Sequence, residues 1–107
     1  MRHSKRAGVA AILAFLMAAP VVSAQTAAPA KAAQCFACHG ANGIATMPDA
    51  PNLAGQNEIY LAKALQDFRS GARQHEVMTL MAKNLSDQDI AQLASYFGKL
   101  EMAPKAK

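Results

Sequence analysis

Cysteine is scarce in this chain: Cys35 and Cys38 are its only two. A pair separated by two residues can close at most one disulfide, over so short a loop that it makes a poor structural clamp and a better redox couple. Charge of one sign is scarce as well. Three of the eleven basic residues, Arg2, Lys5 and Arg6, sit at the extreme N-terminus, and the remaining eight face seven acidic ones. That balance gives no support to nucleic-acid or general polyanion binding. Strand-type alternation of apolar and polar residues is missing, as is any internal repeat. The longest apolar run, Ala7 to Ala19, is also too short to span a bilayer comfortably.

That run nevertheless has a role. It follows a basic stretch and precedes Pro20 and the small-residue sequence Val22-Ser23-Ala24, which is the three-part plan of a secretory signal peptide. Cleavage is expected after Ala24, with no stable membrane insertion afterwards. Residues 25–107 then make one small domain, of a size that buries too little surface to be comfortably stable without a staple or a cofactor.

The two cysteines belong to Cys35-Phe36-Ala37-Cys38-His39. Cys-x-x-Cys-His is the attachment signature of c-type haem. The two thiols can add across the two vinyl groups, and the adjacent imidazole then lies within reach of the iron. One such motif implies one haem. Export agrees with it, because covalent haem attachment in bacteria takes place on the periplasmic side of the membrane. Two other uses of the motif compete. A haem-free thiol–disulfide oxidoreductase would require a βαβ pattern that is missing, and a zinc site would require a fourth ligand.

The expected fold class is all-α, with three main helices and long loops around one covalently attached haem. Residues 25–30 read as a flexible lead, 31–102 as the domain and 103–107 as a disordered tail. Lys31 to Phe36 is Ala-rich and suits a short helix that delivers the cysteines. Residues 40–56 carry Gly40, Asn42, Gly43, Pro48, Pro51 and Gly55 and read as loop, longer than most connections and so expected to wrap a ligand. Leu61, Ala64, Leu65 and Phe68 then repeat at helical spacing between a capping Asn57 and Gly71. The last helix is expected to open at Ser86, with Asp89 completing a weak capping box. Ile90, Leu93, Ala94, Phe97 and Leu100 form its apolar stripe, and Pro104 stops it.

A second iron ligand can come from Met47, Met78, Met81, Met102 or His75. Met47 is too close to His39 in sequence to reach the opposite haem face easily, and Met102 reads as a packing residue. The segment 72–85, between the last two helices, is far enough along for the chain to wrap around. Spacing alone divides the choice evenly between Met78 and Met81, with His75 third.

Taken together, several ordered blocks make the chain resemble a class I c-type cytochrome, most closely the monohaem cytochromes c-553 and single domains of cytochrome c4. The blocks are Cys35-Phe36-Ala37-Cys38-His39-Gly40, Pro51-Asn52-Leu53-Ala54-Gly55-Gln56, Tyr60-Leu61, Gly71-Ala72-Arg73, Met78-Thr79-Leu80-Met81 and Leu85-Ser86-Asp87 leading to Tyr96-Phe97. The resemblance implies that Cys35 and Cys38 are the thioether anchors and His39 the proximal ligand. It makes Pro51 the residue whose carbonyl takes the hydrogen bond from that histidine. It also favours Met78 as distal ligand over Met81, and places Tyr60 and Arg73 near the haem edge or propionates. One departure stands out: where the family has a glycine in the first helix, this chain has Ala28 followed by Pro29, so the helix is expected to begin later or to cross the last helix at a slightly greater distance.

The expected function is that of a periplasmic one-electron carrier, a monomer that docks weakly on redox partner proteins and is not itself an enzyme. An apolar pocket would include Leu53, Leu65, Phe68, Leu80 and Phe97, with Phe36, Ala37 and Ile44 at the exposed rim. The main alternative keeps the haem and makes the chain an electron-transfer subunit of a larger oxidoreductase complex.

Overall fold

The computed structural model describes residues 3–4, 8–20 and 27–102. The expected cleavage point after Ala24 and the tail 103–107 lie outside the described residues. Residues 8–20 form no helix, and Val9, Ile12, Leu13, Phe15, Leu16 and Met17 are almost fully exposed. No helix among the described residues is long and apolar enough to cross a membrane.

Secondary structure begins at a 3-10 turn, Ala30–Ala32, which runs straight into α1 (Ala33–His39). It is followed by α2 (Glu58–Ser70), α3 (Glu76–Ala82) and α4 (Asp87–Lys99). The described residues contain no strand, and the architecture is all-α, as the sequence pattern implies. The helical count differs in one place. Segment 72–85, read as a connection, contains α3, a helix of only seven residues and therefore too short to show a period of its own.

The start of α2 follows from Asn57, whose side-chain oxygen accepts the Tyr60 N–H at 3.0 Å, and its end from Gly71 in the left-handed region. Ser86 and Asp89 form a complete capping box at α4: each side chain accepts the other's backbone N–H at 3.0 Å. Aspartate is thus long enough here to do what glutamate or glutamine usually does. The bond from the Ser86 N–H, aided by the positive charge of Lys31, holds the Asp89 carboxyl below its usual range. The contribution of this cap is present at neutral pH and is lost as pH falls through that lowered value.

The core forms where α2 and α4 meet. Ile90, Leu93, Ala94 and Phe97 of α4 are all at most 3% exposed, and Leu61 and Phe68 of α2 pack with them, together with Ala32, Ala82 and Leu85. Burying each large side chain is worth roughly 1.5–3 kcal/mol. Ala32 is fully buried where the first turn packs against α4, so the close approach uses this alanine; Ala28, two residues before the first helical turn, is exposed. Two contacts escape sequence reading. The Arg69 guanidinium donates to the Leu85 carbonyl at 3.0 Å and to Asp87 at 2.7 Å, tying α2 to the turn before α4. The Phe97 carbonyl accepts from Gly55 N–H at 3.2 Å as well as from Leu100 N–H. Leu100 is extended there, so α4 ends well before Pro104.

Ser86→Ala removes one half of the capping box and should lower stability by about 1 kcal/mol, read as a shift in the denaturant midpoint at unchanged slope.

Candidate functional site

Cys35, Cys38 and His39 all lie on α1, and the two cysteines, three residues apart, share a face. Both are half-buried free thiols. Burial pushes the Cys35 thiol above its ordinary value. A thiol–disulfide catalyst needs the opposite, a thiol kept partly ionised near neutrality. No three His, Cys, Asp or Glu side chains converge as a metal cluster among the described residues.

His39 ends α1 and is 6% exposed. What surrounds it is set by the loop 40–56, which folds back along the helix end. Thr46 takes up the last carbonyls of α1: its N–H donates to Cys38 at 3.0 Å and its hydroxyl to Ala37 at 2.9 Å. The Gly43 carbonyl accepts from both Leu53 N–H and Ala54 N–H, at 2.8 and 3.0 Å, and Asn52 accepts the Ala45 N–H at 2.8 Å. Two glycines make this turn possible. Gly40 has φ +78° and ψ 147°, and a Cβ there would fall on the Ile44 carbonyl oxygen. Gly43 has φ +74°, and its Cβ would stand 2.7 Å from Ala54 N.

The folded-back strand of loop brings the Pro51 carbonyl to 2.8 Å from His39 Nδ1. A carbonyl can only accept, so Nδ1 carries the proton and Nε2 keeps its lone pair. A buried imidazole oriented with its lone pair on Nε2, on the same helix as two thiols, has the donor set that could hold a haem c.

Met78 and Met81 lie on α3, one turn apart and both half-buried. Met78 packs against the core. Met47 and Met102 are 46% and 72% exposed, and Met102 lies over Gly55. His75 is occupied as the cap of α3, where its Nδ1 accepts from Val77 N–H and Met78 N–H. Of the expected pocket, Phe68 and Phe97 are buried, Leu53 and Leu65 half-buried, and Leu80 is 67% exposed. Ala37 is exposed and Phe36 and Ile44 are half-buried; the Phe36 ring packs with Tyr96 and Phe97, at 6.3 Å between centroids in each case. Tyr96 also donates to the Ala41 carbonyl at 3.1 Å, fastening α4 to the loop after His39. Tyr60 is half-exposed in the first turn of α2, and the Arg73 guanidinium lies 4.6 Å from the Phe68 ring centroid.

The model of the family described as cytochrome c matches residues 24–101. The chain belongs to the cytochrome c family. Members of that family carry covalent haem c with iron, the group the site's donors suit. The chain is 49% identical over 77 residues to cytochrome c4 of Pseudomonas aeruginosa, covering 72% of this chain and 38% of that protein. It is 46% identical over 99 residues to the thiosulfate dehydrogenase electron acceptor of Thiomonas intermedia, covering 91% and 44%. Among solved structures, reduced recombinant cytochrome c4 from Pseudomonas stutzeri superposes with a TM-score of 0.60 at 39% identity, covering 63% of this chain and 38% of that one. The chain therefore spans less than half the length of these relatives.

Gly40→Ala forces an alanine into a backbone region that essentially only glycine occupies, at a cost of about 1–3 kcal/mol before any clash. The variant should show a lower denaturant midpoint and a smaller haem-loaded fraction than the parent protein.

Proposed function

We propose that this cytochrome c domain is an exported one-electron carrier, with its haem anchored by Cys35 and Cys38 and its iron held between His39 Nε2 and the Met78 sulfur. The observation that carries the proposal is the 2.8 Å bond from His39 Nδ1–H to the Pro51 carbonyl, which supports a fixed tautomer with the lone pair on Nε2. The bound group supplies reversible one-electron chemistry. The chain's own residues do the rest. Cys35 and Cys38 would hold the macrocycle on α1 through thioether links. His39, oriented by Pro51, would offer the iron its Nε2 lone pair. Met78 offers a soft thioether, which favours the reduced metal and raises the potential. Two protein ligands retained in both oxidation states leave no open position for a substrate, in keeping with a carrier and not a catalyst. Leu53, Leu65 and Phe68 limit water around the site, and Ala37 and Ile44 line the exposed rim where a partner docks weakly. Tyr60 and Arg73 are assigned to the haem edge or propionates. The N-terminal 24 residues serve as the export signal, and the mature domain works in the periplasm as a monomer.

A second reading is favoured by one specific observation, the 91% coverage of this chain by the match to a thiosulfate dehydrogenase electron acceptor. On that reading the same site serves as an electron-transfer subunit. Size-exclusion chromatography of protein purified gently from its host separates the two, since a free carrier elutes alone and a subunit elutes with a larger catalytic chain.

The ligand assignment has its own test. A pyridine haemochrome should show the band position of a haem carrying two thioether links, and Cys35→Ala should move it to that of one. Met78→Ala should abolish the long-wavelength sulfur-to-iron charge-transfer band and lower the midpoint potential by more than about 100 mV, a fraction of the roughly 0.8 V that axial ligands span. An intact band and unchanged potential in Met78→Ala would remove Met78 from the ligand set.

A further inference from the structure

The cap of α3 is unusual in kind. Helices are ordinarily opened by Ser, Thr, Asp or Asn, yet α3 is opened by an imidazole. His75 Nδ1 stands 3.2 Å from both Val77 N and Met78 N. Both partners are amide donors, so this nitrogen carries the lone pair and Nε2 the proton, the reverse of the tautomer at His39. The His75 backbone reinforces the turn: its N–H donates to the Thr79 hydroxyl at 2.9 Å, and its carbonyl accepts from Thr79 N–H at 3.0 Å.

The ring is held from the other side by α2. Phe68, 7% exposed, meets the imidazole edge-on at 6.4 Å between centroids and 70° between planes. Arg73 caps that same Phe68 ring at 4.6 Å. An imidazole can do here what a serine hydroxyl cannot: it reaches the amides of α3 while its body packs on a core ring of α2. One of the two amides it holds is that of Met78 itself. The far end of the segment is fixed separately, by Arg69 on the Leu85 carbonyl.

We propose that His75 is a positioning residue for Met78: docked on Phe68, its imidazole fixes the first turn of α3 and so keeps the thioether on the iron. The proposal rests on ligation by Met78. Its effect is greatest in the ferric state, where the bond between a soft thioether and the metal is weaker. An exogenous ligand then competes with methionine, and its apparent affinity measures how firmly α3 holds the sulfur in place.

The test titrates the ferric holoprotein with imidazole and follows loss of the sulfur-to-iron charge-transfer band. His75→Ala should raise the apparent imidazole affinity about 3- to 30-fold, the range expected for loss of a helix cap. His75→Asn, which restores a side-chain acceptor but not the packing on Phe68, should raise it clearly less than His75→Ala does. Ser86→Ala removes a cap of similar worth from α4 and should stay within about twofold of the parent. Unchanged affinity in His75→Ala overturns the proposal. So does an equal rise in Ser86→Ala, which would mark general loosening, or an equal rise in His75→Asn, which would exclude capping as the cause. A band that survives Met78→Ala overturns ligation by Met78 and this proposal with it. A band lost in Met78→Ala, alongside unchanged affinity in His75→Ala, overturns this proposal alone.

Discussion

The hydrogen bond from His39 to the Pro51 carbonyl is the contact on which the rest of the site depends. A neutral hydrogen bond of this kind contributes only about 1 kcal/mol net to stability. Its importance lies in direction. It decides which ring nitrogen keeps a lone pair and which way that lone pair points. To deliver a backbone carbonyl to a side chain twelve residues earlier, the loop must reverse and lie against the end of α1. That requirement explains why residues 40–54 spend so many backbone groups on one another: Thr46 on the carbonyls of α1, Gly43 on Leu53 and Ala54, Asn52 on Ala45. The surroundings of His39 are thus organised by backbone.

On the proposed ligation the distal side is organised differently. Met78 and Met81 sit on a seven-residue helix that could not persist alone. It is held by side chains reaching from outside: His75 at its start, against Phe68, and Arg69 just beyond its end. The two halves meet through α4, whose Phe97 and Tyr96 touch α1 and its following loop, while Ile90 and Leu93 belong to the core shared with α2. A carrier gains from such an arrangement. Electron transfer is fastest when the ligand geometry is the same before and after, and ligands braced independently from two sides have little freedom to change.

How much of this was legible follows from the kind of signal each feature leaves. The helices α2 and α4 announce themselves, because Leu61, Leu65, Phe68 and Ile90, Leu93, Phe97 recur at the helical period between recognisable caps. The pentapeptide and the glycine-rich loop were equally clear. The helix α3 was not, since seven residues are too few for periodicity and its cap is a histidine, which no capping rule anticipates. The packing of Phe36 on Tyr96 and Phe97 left no local signal, because its partners come from the far end of the sequence. The Arg69 contacts to Leu85 and Asp87 left no trace for the same reason: a donor to a distant backbone carbonyl has no pattern of its own.

The central claim is that one particular methionine faces His39 across the haem. Proton–carbon NMR of the reduced holoprotein, labelled at the methionine methyl groups, tests it most directly, because a methyl bound at the iron lies over the macrocycle and is shifted far upfield by its ring current. The account predicts one such methyl, assigned to Met78. An upfield methyl assigned to Met81, or none at all, would contradict it.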